Sequence, residues 1–174
     1  MKKTIVFILA LLLSWNCAET KLHTEKYRNQ DILVGKGKFS ALKKEPYQQW
    51  FFENAGNYTP SAEIIQKLRP EINKYNFLVI MGTWCPDSRE QVPVLYKVLK
   101  ESQYKNLEKI PVIYVPRKYK TYPAVKNMNL KRVPTIIVYE NKVEKGRIIE
   151  YPMESIEQDL WDIIRNRYSH ELEK

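Results

Sequence analysis

The sequence contains few residues of the kinds that build metal and cofactor sites. Its 174 residues include 2 Cys, 2 His and 5 Gly. The histidines, His23 and His170, lie near the two ends of the chain, far from Cys85 and from each other, so they supply no clustered ligand set. The sequence therefore predicts no metal and no cofactor. The length favours one hydrophobic core and is too short for two full domains.

Acidic residues are also scarce relative to basic ones. The chain has 29 Lys and Arg against 20 Asp and Glu, a formal net charge of +9. Such a balance can indicate nucleic acid, an anionic membrane surface, acidic partners or simply a solvated basic surface. Cys/His clusters, RNA-binding aromatic strings and basic heptads are all missing from the sequence. We therefore expect no nucleic-acid partner and regard a solvated surface as the simplest interpretation.

A long hydrophobic run is missing as well, and the one short run lies at the N-terminus. Lys2 and Lys3 precede nine apolar residues, Ile5 to Leu13, fewer than the about 20 that span a bilayer. Cys17 follows where a bacterial lipoprotein signal places the cysteine that becomes lipidated. Residues 14–16 are larger than such a signal prefers, so cleavage nearby without lipid is the alternative. Residues 1–17 thus predict export to the bacterial envelope, in the periplasm, with a lipid anchor in the membrane at Cys17.

The region between this leader and residue 76 divides into two predicted parts. Residues 18–39 are polar and predict a tether, with a short extended piece at Ile32–Val34. Residues 40–76 predict an N-terminal helical extension with one helix from Ser40 to about Asn54 and another from Pro60 to about Lys74. We expect the aromatic residues of the first helix to pack against the domain rather than line a ligand groove; they are Tyr47, Trp50 and Phe51.

Beyond residue 76 the pattern alternates between strands and helices. Phe77 to Met81 is a continuous apolar run, typical of a strand buried on both faces, and it leads through TWCPDS into a helix that ends near Ser102. A final helix begins at Ser155, where Gln158 completes a capping box. The other predicted elements are strands at Ile110–Val115, Thr135–Glu140 and Arg147–Glu150 and a short helix at Tyr122–Asn127. The order βαβαββα places Cys85 at the start of the first of these helices.

Three local features in this order resemble the thioredoxin family. The segment Trp84-Cys85-Pro86-Asp87-Ser88 is similar to the WCxxC motif of the family except at its last position. Pro93 stands eight residues after the cysteine, where the family has a helix-kinking proline. Val133-Pro134-Thr135 resembles the cis-proline loop that lies beside the reactive sulfur.

The resemblance covers about Phe77 to Arg167 and implies a thioredoxin-like domain over residues 77–168. The implied fold is α/β, with a central mixed sheet flanked by helices and preceded by the N-terminal helical extension. The segments MGTWCPDS and GRIIEYP, together with the leader, are further similar to thioredoxin-like envelope lipoproteins of Bacteroidetes-type bacteria.

Cys85 would be the single cysteine of the mature domain if Cys17 is lipidated or removed, so an internal disulfide is excluded. Backbone N–H groups and the helix dipole stabilise a thiolate at a helix start, which predicts a pKa below about 8.5. Asp87 opposes this effect, whereas the Ser88 hydroxyl and the Arg89 charge favour it. Asp87 and Ser88 could alternatively act only as helix-capping residues.

A single sulfur can attack a partner disulfide, but no neighbouring thiol can then displace the product. The resemblance also implies a buried acid six residues before Cys85, and Val79 replaces it here. Resolution would need an outside thiol, so we expect a monothiol thiol–disulfide oxidoreductase or isomerase acting on protein thiols or disulfides of the envelope. The alternative is a redox-inactive binding module that holds a partner protein in the same groove.

The predicted site residues follow from this resemblance. The catalytic set is Cys85, Ser88 and Pro134. The predicted substrate-binding residues are Trp84, Pro86, Asp87, Arg132, Val133 and Thr135.

The segment Lys109 to Tyr139 contains seven Lys or Arg residues and no Asp or Glu. Because it leads to the predicted cis-proline loop, part of its charge should lie near Cys85. It therefore predicts partners that are acidic around their reactive cysteine, with a solvated face as the alternative.

Overall fold

Six strands form one mixed sheet in the computed structural model, which describes residues 21–168. The predicted signal peptide and Cys17 lie outside the described residues. The strands are β1 (His23–Tyr27), β2 (Gln30–Gly37), β3 (Asn76–Met81), β4 (Val112–Tyr114), β5 (Thr135–Glu140) and β6 (Val143–Ile149). Their spatial order is β1-β2-β4-β3-β5-β6, with β3 and β4 parallel and the other neighbours antiparallel.

Four α-helices accompany this sheet. They are α1 (Gln48–Asn57), α2 (Ala62–Leu68), α3 (Pro86–Glu101) and α4 (Ile156–Ile164). Residues from all four helices join the main hydrophobic core on one face of the sheet. The predicted α/β fold with a central mixed sheet flanked by helices is thereby confirmed. None of the helices between residues 21 and 168 combines the length and apolar character that a bilayer crossing requires.

Both faces of the central strand β3 are covered, which explains its uninterrupted apolar sequence. Phe77, Val79 and Met81 belong to the main core, whereas Ile80 belongs to a second cluster on the opposite face of the sheet. Since both faces are covered, every position from Phe77 to Met81 except the half-buried Leu78 is buried.

The predicted tether is wrong for residues 23–37, which form the hairpin of β1 and β2, whereas the extended piece predicted at Ile32–Val34 is confirmed within β2. Arg28 and Asn29 make its turn with φ values of 46° and 61°. The backbone N–H of Leu33 donates to the hydroxyl of Thr83 at 3.0 Å, which links the hairpin to the loop before Cys85. Strand β1 is polar and largely exposed, so no alternation of apolar residues marks it in the sequence.

Prolines change the helix bounds that the sequence predicts. The first helix begins at Gln48 and not at Ser40, because Pro46 interrupts the segment and residues 39–41 form a 3-10 turn. The second helix ends at Leu68, shortly before Pro70, and not near Lys74. The predicted helix at residues 122–127 is instead a pair of 3-10 turns at Tyr119–Thr121 and Pro123–Val125.

The predicted packing of the first helix is confirmed for Phe51, which is fully buried. Its ring centroid lies 6.4 Å from that of Phe39 and 5.3 Å from that of Tyr96. The helical extension is therefore part of the main core of the domain.

Turn residues and caps define the remaining bounds. Strand β4 starts two residues later than predicted, after Pro111, which has no N–H to donate. Strand β6 starts at Val143, earlier than predicted, directly after a turn at Asn141 and Lys142 with φ values of 49° and 68°. The Ser155 cap of α4 is confirmed, because its hydroxyl accepts from the Gln158 N–H at 3.2 Å.

Candidate functional site

The connection between β3 and α3 positions Cys85. Cys85 is the N-cap residue of α3, with extended backbone, and its N–H donates to the Gly82 carbonyl at 2.9 Å. Pro86 occupies the first helical position, where its missing N–H has no cost. The buried apolar strand and the helix start thus hold the sulfur at the carboxyl end of β3.

The cis-proline loop forms the other side of the sulfur site. The peptide bond between Val133 and Pro134 is cis, as the sequence predicts. The Cys85 thiol donates to the Val133 carbonyl with an Sγ–O distance of 3.4 Å, and Asp87 Oδ2 lies 3.7 Å from the same sulfur. Only 6% of Cys85 is exposed. A carbonyl and a carboxylate beside the sulfur favour the protonated thiol over the thiolate.

Ser88 lies at the position of the second cysteine of the WCxxC motif. It is fully buried, and its hydroxyl accepts from the Gly82 N–H at 3.3 Å. The Ser88 N–H and hydroxyl also hydrogen-bond to Cys85, and both bonds lower the pKa of that thiol. Ser88 therefore contacts the sulfur as predicted and contributes to the helix start as well.

The predicted low pKa of Cys85 is wrong. Burial raises the pKa of the thiol above its ordinary value, and this effect exceeds the lowering by the Ser88 hydrogen bonds, while the Asp87 charge raises it further. The Arg89 charge was predicted to lower the pKa of Cys85, but the Arg89 side chain makes other contacts. Its Nε donates to the Thr83 carbonyl at 2.6 Å, and a terminal nitrogen donates to Gln30 at 3.2 Å.

Asp87 has a partner that the sequence alone did not indicate. The Tyr151 hydroxyl donates to Asp87 Oδ1, and this hydrogen bond raises the pKa of Tyr151 to about 12. Tyr151 therefore orients the carboxylate whose other oxygen faces Cys85. Since 64 residues separate Tyr151 from Asp87, no local motif could have indicated the contact.

Trp84 is fixed on several sides. Its indole nitrogen donates to the Val115 carbonyl at 2.9 Å, and its ring stacks on Tyr119 with centroids 6.1 Å apart. The Arg117 guanidinium lies 4.6 Å from the ring centroid. A Cβ added to Gly82 would stand 2.5 Å from the indole, so the close approach of this ring requires glycine there.

A cleft of about 580 Å³ opens over the sulfur. Six of the predicted site residues line it, namely Trp84, Cys85, Pro86, Asp87, Arg132 and Val133. It is also lined by Arg117, Tyr119, Lys120, Lys131 and Glu150. The predicted site residues are therefore joined by a cationic wall from the segment before the cis-proline loop.

Three predicted residues lie behind this lining. Ser88 and Pro134 are buried under it, and Thr135 is buried at the start of β5. The Thr135 hydroxyl donates to the Arg132 carbonyl at 2.7 Å. The Arg132 side chain forms an ion pair with Glu150, which also lines the cleft.

Two further features bear on alternative sites. A larger cleft, of about 680 Å³, lies at the opposite end of β3, and Phe77, Leu78, Tyr104 and Tyr139 are among its lining residues. Its lining contains no cysteine. Within residues 21–168, no group of three or more His, Cys, Asp or Glu side chains could hold a metal ion. The cleft at Cys85 is therefore the candidate site with reactive chemistry.

A family model and one solved structure support the fold. A family model described as thioredoxin matches residues 37–161. A crystal structure of a protein of unknown function from Pseudomonas aeruginosa superposes with a TM-score of 0.51 at 16% identity, covering 75% of this chain and 81% of that one. An HIV epitope scaffold superposes with a TM-score of 0.49 at 16% identity, over 75% of this chain and 83% of that one. No curated protein matches the chain.

Proposed function

Because the chain belongs to the thioredoxin family, we propose that it acts as a monothiol thiol–disulfide oxidoreductase or isomerase through Cys85. The observation that carries the proposal is the position of this sulfur, at the N-cap of α3, against the Val133 carbonyl and in the floor of the cleft. Cys85 is the one cysteine among residues 21–168. Ser88 stands where a resolving thiol would be.

The proposed reaction exchanges one disulfide for another. The Cys85 thiolate attacks one sulfur of a partner disulfide, and an S–S bond forms between them. The partner S–S bond breaks, and its second sulfur leaves as a thiolate with the bonding electron pair. The proton lost from Cys85 goes to solvent or to the leaving thiolate, so no external oxidant is consumed. An outside thiol later attacks the partner sulfur and releases Cys85.

The raised pKa sets the pH range of this chemistry. A pKa above the ordinary value leaves little thiolate near pH 7, but the thiolate that forms is intrinsically more nucleophilic. Exchange should therefore be slow at neutral pH and should accelerate as the pH rises toward the pKa of Cys85.

A small aromatic disulfide that releases a coloured thiolate tests the proposal. We use the full chain with Cys17→Ala, so that Cys85 is the only thiol. One thiolate should be released per chain, at a rate that rises about tenfold per pH unit between pH 7 and pH 8.5 without levelling off. Mass spectrometry should find the adduct on Cys85, and a further Cys85→Ser substitution should abolish release.

Unfolded protein in urea is the control, since its thiol should level off near the ordinary pKa of about 8.5. Levelling of the native protein at or below that pH would contradict the raised pKa. No exchange by the native protein at pH 9, with normal exchange by the unfolded chain, would exclude the oxidoreductase.

A redox-inactive binding module is the second candidate function. It is favoured by the thiol itself, which is 6% exposed and already donates its proton to the Val133 carbonyl. If the protein is a binding module, the Cys85→Ser variant should still bind its partner in the cleft. If it is an oxidoreductase, the same substitution should abolish its covalent complexes with the partner.

We further propose that Cys17 anchors the protein by lipid in the bacterial envelope. The support is the charged and apolar leader that precedes Cys17. Cys17→Ala should abolish labelling by a radioactive fatty acid and move the protein from the membrane fraction to the soluble fraction, or stop its processing. Cys85→Ala is the matched control and should leave both unchanged. A mature N-terminus beyond Cys17 would contradict the anchor.

A further inference from the structure

We propose that the cleft at Cys85 selects partners whose reactive cysteine is flanked by acidic residues, recognised by Arg117, Lys120 and Lys131. This inference names the substrate class of the proposed exchange site and rests on that proposed function. It is carried by the charges that line the cleft and by the partners that those charges already have.

The cationic residues of the cleft are not neutralised equally. Arg132 forms its ion pair with Glu150. Arg117, Lys120 and Lys131 are exposed, line the same cleft and form no ion pair with any residue between 21 and 168. Within residues 21–168 these three positive charges have no carboxylate partner, so they can pair with acidic groups of a ligand.

The acidic residues of the cleft are already engaged. Glu150 is held by Arg132, and Asp87 accepts from the Tyr151 hydroxyl. Neither carboxylate contacts the three unpaired cations, so the wall formed by residues 117–132 keeps its positive character. A partner with acidic side chains would meet cations there, whereas a basic partner would leave like charges facing one another.

Arg117 is the best fixed of the three. Its guanidinium lies 4.6 Å from the Trp84 ring centroid and 5.8 Å from that of Tyr27 in the N-terminal hairpin. Aromatic rings that hold a guanidinium lower the conformational entropy it loses on binding. The hairpin, which the sequence pattern did not predict, thus supplies part of the recognition surface.

The cleft brings these cations to the same surface as the sulfur. An extended peptide rises about 3.3 Å per residue, so residues one to three positions from a disulfide-bonded cysteine lie within about 10 Å of it. Of the seven cations predicted to lie before the cis-proline loop, four line the cleft, and they are Arg117, Lys120, Lys131 and Arg132. Acidic residues directly beside the partner cysteine are the ones that would reach them.

Two peptides test the inference. Each contains one cysteine, joined as a disulfide to a small neutral thiol, with two flanking residues on either side that are Asp and Glu in one peptide and Asn and Gln in the other. The full chain with Cys17→Ala should form its mixed disulfide with the acidic peptide about tenfold faster than with the neutral one at 0.01 M ionic strength. Raising the ionic strength to 0.1 M, where screening acts beyond about 10 Å, should reduce this preference.

The charge-reversal variant is Lys120→Glu with Lys131→Glu. It should lose the preference for the acidic peptide, so that the ratio of the acidic-peptide rate to the neutral-peptide rate falls from about ten to about one. The matched control is Lys105→Glu with Lys109→Glu, which makes the same change in net charge at the opposite end of β4. The control should retain most of the preference, which separates a local effect from an effect of total charge.

The outcomes separate the inference from the proposed function. Equal rates with both peptides, or equal losses in the variant and the control, would overturn the acidic preference and leave exchange by Cys85 intact. If neither peptide reacts, the acidic preference is tested by binding instead: fluorescence anisotropy measures how tightly each peptide binds the Cys85→Ser variant. Tighter binding of the acidic peptide would then support the inference without the exchange function, and equal binding would overturn it.

Discussion

Replacing Ser88 by cysteine is expected to change the stoichiometry of the exchange reaction from one released thiolate per chain to two. The Ser88 hydroxyl hydrogen-bonds to Cys85, so a thiol at this position would lie next to the mixed disulfide. It would attack the Cys85 sulfur, release the bound group as a second thiolate and leave a disulfide between residues 85 and 88. The amount of coloured thiolate released per chain, in protein that also carries Cys17→Ala, measures this stoichiometry.

The lifetime of the mixed disulfide should fall in the same variant. A thiol held in the same chain acts at an effective concentration of about 1 mM or more, so resolution should be at least about a hundredfold faster than with an outside thiol at about 10 μM. Ser88→Ala is the control: it removes a hydrogen bond that lowers the Cys85 pKa and should still release one thiolate, more slowly. One thiolate from Ser88→Cys would mean that the helix start does not bring the two sulfurs together.

Phe51→Ala should destabilise the domain strongly. Phe51 is fully buried between Phe39 and Tyr96, and removal of such a ring costs about 3–5 kcal/mol of the free energy of unfolding. For a chain of this length each kcal/mol lowers Tm by roughly 2–4 °C. Urea denaturation followed by circular dichroism measures the free energy of unfolding, and a thermal scan measures Tm.

Phe52 provides a matched control in the next position of α1. It is 51% exposed, and its ring centroid lies 5.5 Å from that of Phe51. Phe52→Ala should cost about 1 kcal/mol or less, because half of the ring is already in water. Equal losses for the two variants would contradict the assignment of α1 to the main core.

Elements with strong local patterns could be predicted from the sequence. The uninterrupted apolar run of β3, the cysteine at the start of α3 and the Ser155 cap of α4 each depend on neighbouring residues, and the structure has them where they were expected. The loop at Pro134 followed from the resemblance of its motif. Six of the nine predicted site residues line the cleft for the same reason.

Features that depend on distant contacts could not be predicted in this way. The Cys85 pKa reflects burial by segments such as the loop at Val133, 48 residues away, so the helix-start argument alone gave the wrong direction. Two other features also join segments that are distant in sequence. They are the contact of Tyr151 with Asp87 and the position of Arg117 between Trp84 and Tyr27. The polar strand β1 is stabilised by pairing with β2, which no apolar periodicity signals.

The hairpin of β1 and β2 limits how far the site could work from a membrane. Lys21 already forms a bridge with Lys36 of β2, so an anchor at Cys17 would leave three residues, 18–20, between the lipid and the sheet. Three residues extend at most about 11 Å, whereas the 22 residues of the predicted tether would have reached about 75 Å. An anchor of this kind would hold the sheet close to the bilayer surface, so a partner disulfide would have to come to that surface to react.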